Sequence, residues 1–300
     1  MLKTRVKTGV FLSALVLLLL YFSYLPYVLK FFAAGLDLIG TFELYLAAEC
    51  KHKKFSLCIS MLLGVVMPFI LPSIPQYPIL AAIALGLAVA SFFPLAANVD
   101  ALTFHTAGMA FGSSLLISLF FSAIPTLRMS RYGLYYVVFM VLTSVVTEVA
   151  AYFIGQAFGR HKLSPRVSPG KTVEGFIGGT IVAYLVTLAA GVVFSHQMNI
   201  PLHHGVFSCY LIMASVIGQI GDLSMSLIKR AAGIKDFGQL LPGHGGVLDR
   251  FDSQLFIAPF TLAFCTFIQQ FFRSFGGHGY ENRNYRCWRR FAWNICCRCI

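Results

Sequence analysis

Residues 134–158 carry a single formally charged side chain, Glu148, in a run of 25. About 20 apolar residues of α-helix cross the hydrocarbon core of a bilayer. Backbone N–H and C=O groups find no water there, and a helix is the one local structure that pairs them all within its own segment. Comparable apolar runs recur at residues 10–29, 31–50 (which carries Asp37 and Glu43), 57–71, 80–97, 107–124, 176–194, 206–220 and 256–272. The expected fold class is therefore all-α: a polytopic integral membrane protein of about nine transmembrane helices. Its last three or four spans should form a cytoplasm-facing polar cavity. The hydrophobic share of 58% agrees, since ordinary soluble domains hold about 45–50%.

The formal charge of +12 does not point to nucleic acid, because the basic residues fall mainly in short loops between apolar runs. That distribution suits anionic headgroups, phosphorylated substrates and a cytoplasmic excess of Lys and Arg. With a cytoplasmic N-terminus, Lys51, Lys53 and Lys54, then residues 160–171, then residues 229–250 all fall on the cytoplasmic side. Arg128, Arg131 and the arginines of the tail fall on the other. The opening MLKTRVK precedes an apolar run longer than the 7–15 residues typical of a signal peptide, so a retained first span is expected. The location expected is the cell inner membrane, with the active site facing the cytoplasm. Of the eight cysteines, Cys287, Cys296, Cys297 and Cys299 crowd the tail without the paired spacing or histidine of a zinc site.

The chemistry concentrates between residues 221 and 252, GDLSMSLIKRAAGIKDFGQLLPGHGGVLDRFD. Asp222, Asp236, Asp249 and Asp252 alternate there with Lys229, Arg230, Lys235 and Arg250. Ionisable groups this dense at a membrane edge are costly and read as functional. On a continuous helix Asp222, Ser226, Lys229 and Arg230 share one face. Asp249 and Asp252 are neighbours one turn apart. Mg²⁺ is held by one or two carboxylates together with substrate phosphates, which makes Asp222, Asp249 and Asp252 the candidate metal ligands. The four cations would meet a triphosphate. Gly245 and Gly246 admit close backbone approach, and His244 is placed to orient a phosphate. A second loop, Ser168-Pro169-Gly170-Lys171-Thr172, is not a Walker A sequence, but its hydroxyls, lysine and amides at a helix start suit an anion.

Residues 226–230 (SLIKR), Lys235-Asp236 and residues 242–252 (PGHGGVLDRFD) resemble the C-terminal signature of CDP-diacylglycerol synthases, the phosphatidate cytidylyltransferases. The SPGKT loop, Gly155 and Gly221-Asp222-Leu223 resemble that family too. The likeness is strong over residues 151–253. It implies transfer of the cytidylyl group from CTP to phosphatidate with Mg²⁺. Asp222, Lys229, Arg230, Asp249 and Arg250 would act in catalysis. Ser168, Gly170, Lys171, Thr172, Lys235, His244, Gly245 and Gly246 would bind substrate. Two positions depart from the family pattern: Glu148 stands for its usual Asp, and Met225 for a frequent Glu. Rival readings are a CTP-dependent polyprenol kinase of related layout and an ion-coupled transporter. The partners implied are CTP, phosphatidate and membrane lipid, without nucleic acid; a homodimer is compatible with the sequence. The organisation expected is an N-terminal transmembrane region at 1–133, a catalytic region at 134–275 and a basic, cysteine-containing tail at 276–300.

Overall fold

A computed structural model describes residues 2–25, 27–47, 54–73, 112, 116–130, 132–198, 203–241 and 245–276. Its helices are α1 (Leu2–Phe22), α2 (Val28–Ala47), α3 (Lys54–Ile70), α4 (Ser118–Arg128), α5 (Gly133–Phe158), α6 (Val173–Met198), α7 (His204–Ala231) and α8 (Leu248–Gly276). A 3₁₀ turn, Leu71–Ser73, follows α3. The described structure is mostly helical, as expected. One exception is an antiparallel pair of short strands between α5 and α6, β1 (Lys162–Ser164) and β2 (Ser168–Thr172), with Lys162 opposite Thr172 and Ser164 opposite Ser168.

Among the described residues, four helices are long and apolar enough to cross a membrane, at Gly133–Phe158, Val173–Gln197, His204–Ala231 and Leu248–Ile268. They keep large apolar side chains on their outer surface, among them Val149, Phe153, Ile181, Leu185 and Ile212. A helix apolar on all sides is suited to lipid rather than to water. The expected span at 80–97 lies outside the described residues, as do residues 107–111 and 113–115 of that at 107–124 and the tail beyond 276.

The chain divides into two compact units. The first holds the chain up to Thr126 together with Asp222–Leu255, so it takes the end of α7 and the start of α8. Within it α2 packs on α3, and the Asp37 carboxylate lies against the Cα of Gly64, where a Cβ would collide with it. Gly40 of α2 leaves room for Leu248 and Ile117. Phe251 meets Phe32 and Phe121 edge-on, at centroid distances of 6.2 and 6.1 Å. Tyr45 and Ser60 share a buried hydrogen bond of 3.1 Å.

The second unit holds Leu127–Gly221 and the chain from Phe256 onward. Here α5 and α6 approach closely because Gly178 leaves room for the Ile154 side chain and Gly179 for the Cβ and backbone of Ala151. A buried polar ladder adds specificity: Thr147 Oγ1 donates to Ser215 Oγ at 2.9 Å, and Gln219 donates to Thr180 at 2.9 Å. Tyr135, Phe139, Phe194 and Phe207 form an aromatic cluster. Two histidines of this unit sit in different surroundings, His161 exposed and His203 partly covered. His161 bonds Glu174 through Nδ1 at 2.6 Å and through its backbone N–H. His203 is half-buried, and desolvation, with His204 adding to it, lowers its pKa to about 4.

Candidate active site

Helix α7 continues without a break from its apolar body through Asp222 to Ala231, as the periodicity predicts. Its end is set by Gly233 at φ 69, a conformation that suits a residue without Cβ. Ile234 N–H reaches back to the Lys229 carbonyl at 3.0 Å and Gly233 N–H to that of Arg230 at 3.1 Å, the double bond of a Schellman stop. Lys229 and Arg230 lie in the last turn, where cations favour the negative end of the helix. A turn follows, closed by Leu241 N–H on the Gly245 carbonyl at 2.9 Å, with Gly245 at φ 81. Pro242, Gly243 and His244 lie outside the described residues. Helix α8 then begins at Leu248, with Asp249 in its first turn.

The two helix ends meet through charge. Lys229 Nζ donates to Asp249 Oδ1 at 2.7 Å, with side-chain exposures of 10% and 2%. Asp249 Oδ2 accepts the N–H groups of Phe237 and Gly246, both at 2.9 Å. The aspartate therefore ties the start of the turn to its end while neutralising a buried lysine. The lysine ammonium also lies 5.4 Å from the centre of the Phe237 ring. A carboxylate offers about four lone-pair positions, and these three bonds leave room for one more contact, on Oδ1.

The other residues expected in the signature share this unit. Asp252 is buried one turn into α8 and accepts the Ser253 N–H at 2.8 Å. Asp222 is half-buried and accepts the Ser226 hydroxyl at 3.5 Å. Arg230, Lys235 and Arg250 are exposed, with Arg230 turned back onto the Ile234 carbonyl at 3.0 Å. Gly245 and Gly246 flank the Asp249 bonds, and a Cβ on Gly245 would press on Oδ2.

Ser168, Gly170, Lys171 and Thr172 belong to the second unit, where they form β2 rather than the helix start expected of them. The proline and glycine of this stretch fit a short hairpin arm as well as a loop, and the stretch pairs with β1. Thr172 nonetheless acts as the cap of α6, accepting the Gly175 N–H at 3.1 Å. The Lys171 ammonium is buried rather than extended to the membrane surface.

One residue enters the site unexpectedly. Glu43 of α2, 4% exposed, accepts the N–H groups of Val247 and Leu248, each at 2.9 Å. Its only sequence signal is a carboxylate inside an apolar run.

The donor set suits a hard divalent cation, since Asp249 keeps one position on Oδ1 and Asp222 and Asp252 lie in the same unit. No group of three or more His, Cys, Asp or Glu side chains is placed to enclose a metal ion among the described residues. Asp222, Asp249 and Asp252 are thus not gathered into such a group in this structure.

The sequence model of the cytidylyltransferase family matches residues 3–268. The chain belongs to that family. Among its relatives, the phosphatidate cytidylyltransferase of Bacillus subtilis (strain 168) is 33% identical over 266 residues, covering 86% of this chain and 95% of the relative. The phosphatidate cytidylyltransferase of Staphylococcus aureus (strain COL) is 45% identical over 127 residues, 42% of this chain and 47% of its own. That of Staphylococcus epidermidis (strain RP62A) is 46% identical over 129 residues, with the same coverage. Family membership extends beyond the signature into α1–α4.

Proposed function

We propose that this family member is a phosphatidate cytidylyltransferase of phospholipid biosynthesis, converting CTP and phosphatidate to CDP-diacylglycerol and pyrophosphate. The name of the Bacillus subtilis relative, matched over 95% of its length, supports the reaction. The observation in the structure that carries it is the buried Lys229–Asp249 pair, fixed by backbone amides at a polar turn between two helices of membrane length. Charges held in advance where a phosphoryl group reacts need no reorganisation during the reaction.

In this reading a phosphate oxygen of phosphatidate forms a bond to the α-phosphorus of CTP. The bond from that phosphorus to the bridging oxygen breaks, and pyrophosphate leaves. No protein nucleophile is required, because a phosphate monoester is already anionic at neutral pH. Asp222, Asp249 and Asp252 would hold Mg²⁺, which supplies polarisation of the phosphoryl oxygens and neutralises the leaving charge. Arg230, Lys235 and Arg250, exposed beside the buried pair, meet the triphosphate. Lys229 holds Asp249 in position, and Ser168, Gly170, Lys171, Thr172, His244, Gly245 and Gly246 complete substrate binding. The finer architecture belongs to the same proposal: about nine spans, a catalytic region at 134–275, a cavity facing the cytoplasm from the inner membrane and open sideways to lipid, and assembly as a homodimer.

The test supplies CTP labelled at the α-phosphate, Mg²⁺ and phosphatidate in mixed micelles. Label should pass into lipid as pyrophosphate appears. Transfer of the γ-phosphate with release of CDP would make the protein a lipid kinase. Solute uptake into liposomes without CTP turnover would make it a transporter. Asp249→Asn should lower turnover by about 100-fold or more while the protein stays inserted and helical; near-normal turnover would remove Asp249 from the site.

A further inference from the structure

We propose that Glu43, in the N-terminal half of the chain, is a positioning residue for the active-site turn, fixing residues 246–249 so that Asp249 is presented to metal and nucleotide. Three successive amides open α8, and two carboxylates take them all. Asp249 accepts from Gly246, and Glu43 accepts from Val247 and Leu248. Both Glu43 bonds are 2.9 Å, one to each oxygen, which fixes the plane of the carboxylate against the turn. Each is a charge-assisted bond away from water, the stronger kind.

The packing around Glu43 is independent support. A Cβ on Gly246 would lie 2.5 and 2.6 Å from its two oxygens, and a Cβ on Gly238 would lie 2.6 Å from Oε1. The carboxylate thus occupies the space that side chains would fill at both arms of the turn. Asp249 bridges the same two arms, from Phe237 to Gly246. The two acids act as parallel clasps, and releasing Glu43 frees the backbone immediately preceding Asp249.

The catalytic consequence rests on the cytidylyltransferase reading; the structural one does not, and the experiment separates them. Purified Glu43→Gln keeps the size of the side chain but turns an NH₂ toward one of the two amides. Gly238→Ala disturbs the same carboxylate from outside, without changing any charge. Thr41→Val, two residues away in α2 and hydrogen-bonded to Asp37, serves as the control for a change elsewhere on the same helix. In hydrogen exchange, segment 245–250 should exchange at least tenfold faster in Glu43→Gln and in Gly238→Ala, with α5 and α6 unchanged and Thr41→Val like wild type. In turnover, the Mg²⁺ needed for half-saturation and the KM for CTP should rise severalfold in both variants, while the KM for phosphatidate stays constant. A purely structural role would lower kcat alone and leave both dependences fixed. Unchanged exchange at 245–250 in both variants overturns the clasp. Faster exchange with unaltered Mg²⁺ and CTP dependence overturns its link to the site. Wild-type protein that turns over no CTP sinks the functional reading instead, and the exchange data still decide the clasp.

Discussion

Lys229→Met removes one charge from a pair in which neither partner has water to fall back on. The Asp249 side chain is 2% exposed and that of Lys229 10%. Exposed ion pairs contribute about 0.2–1 kcal/mol, whereas leaving one member of a buried pair unmatched costs about 3–5 kcal/mol. Asp249 would keep its bonds from Phe237 and Gly246, which retain part of the stabilisation of its charge. Methionine would also keep the apolar contact with the Phe237 ring. The lower end, about 3 kcal/mol, is therefore the expected loss. Asp249→Asn removes the charge from the other side, and the double variant leaves no unmatched ion, so the two effects should not add. A coupling of about 2 kcal/mol is expected from the cycle. The assay is SDS-induced unfolding in mixed micelles followed by far-UV circular dichroism for wild type, both single variants and the double variant. A Lys229→Met cost below about 1 kcal/mol with negligible coupling would refute the reasoning, since it would place the pair among surface contacts.

Two further perturbations address the second unit. Thr172→Val deletes the hydroxyl that accepts the Gly175 N–H at 3.1 Å, and loss of such a cap should cost about 1 kcal/mol in the same titration. An unchanged midpoint would show that the cap contributes nothing. Gly179→Val puts a side chain where Ala151 backbone atoms lie 3.0 Å away, so α5 and α6 must separate. A loss of at least about 1–3 kcal/mol is expected, and wild-type stability would mean that the helices pack less closely than described.

Much of this arrangement is legible in local sequence. Residues 134–158 read as a crossing helix, and a helix long and apolar enough to cross forms at Gly133–Phe158, because length and apolarity alone favour that outcome in lipid. The helical offset of Asp222 from Lys229 and the single turn from Asp249 to Asp252 follow from periodicity, and both pairs do lie on helices. The β1–β2 hairpin was hidden because its arms of three and five residues are too short to show alternation. His161 and Glu174 meet only because that hairpin folds back, so their partnership could not be read without it. Glu43 was harder still. Its partners stand 204 and 205 residues later, and no periodic pattern connects α2 to the start of α8.

That long-range contact follows from a general difficulty of enzymes whose polar site adjoins a bilayer. Between Ala231 and Leu248 the chain leaves the helix, and every amide it frees must find an acceptor or water. Water admitted to the turn would weaken the electrostatic field on which phosphoryl chemistry depends. Acceptors supplied by the protein avoid this, and carboxylates are the strongest available. Two acids placed side by side repel unless cations or donors offset them. Here Lys229 answers Asp249, while the four amides of Phe237, Gly246, Val247 and Leu248 are shared evenly between the two. The two carboxylates therefore hold the turn together through these bonds. On this account α2 contributes to the turn as well as to the packing of its own unit. Glu43 of α2 takes two of these four amides, and a C-terminal fragment carrying the whole signature but lacking α2 would leave Val247 and Leu248 without their acceptor.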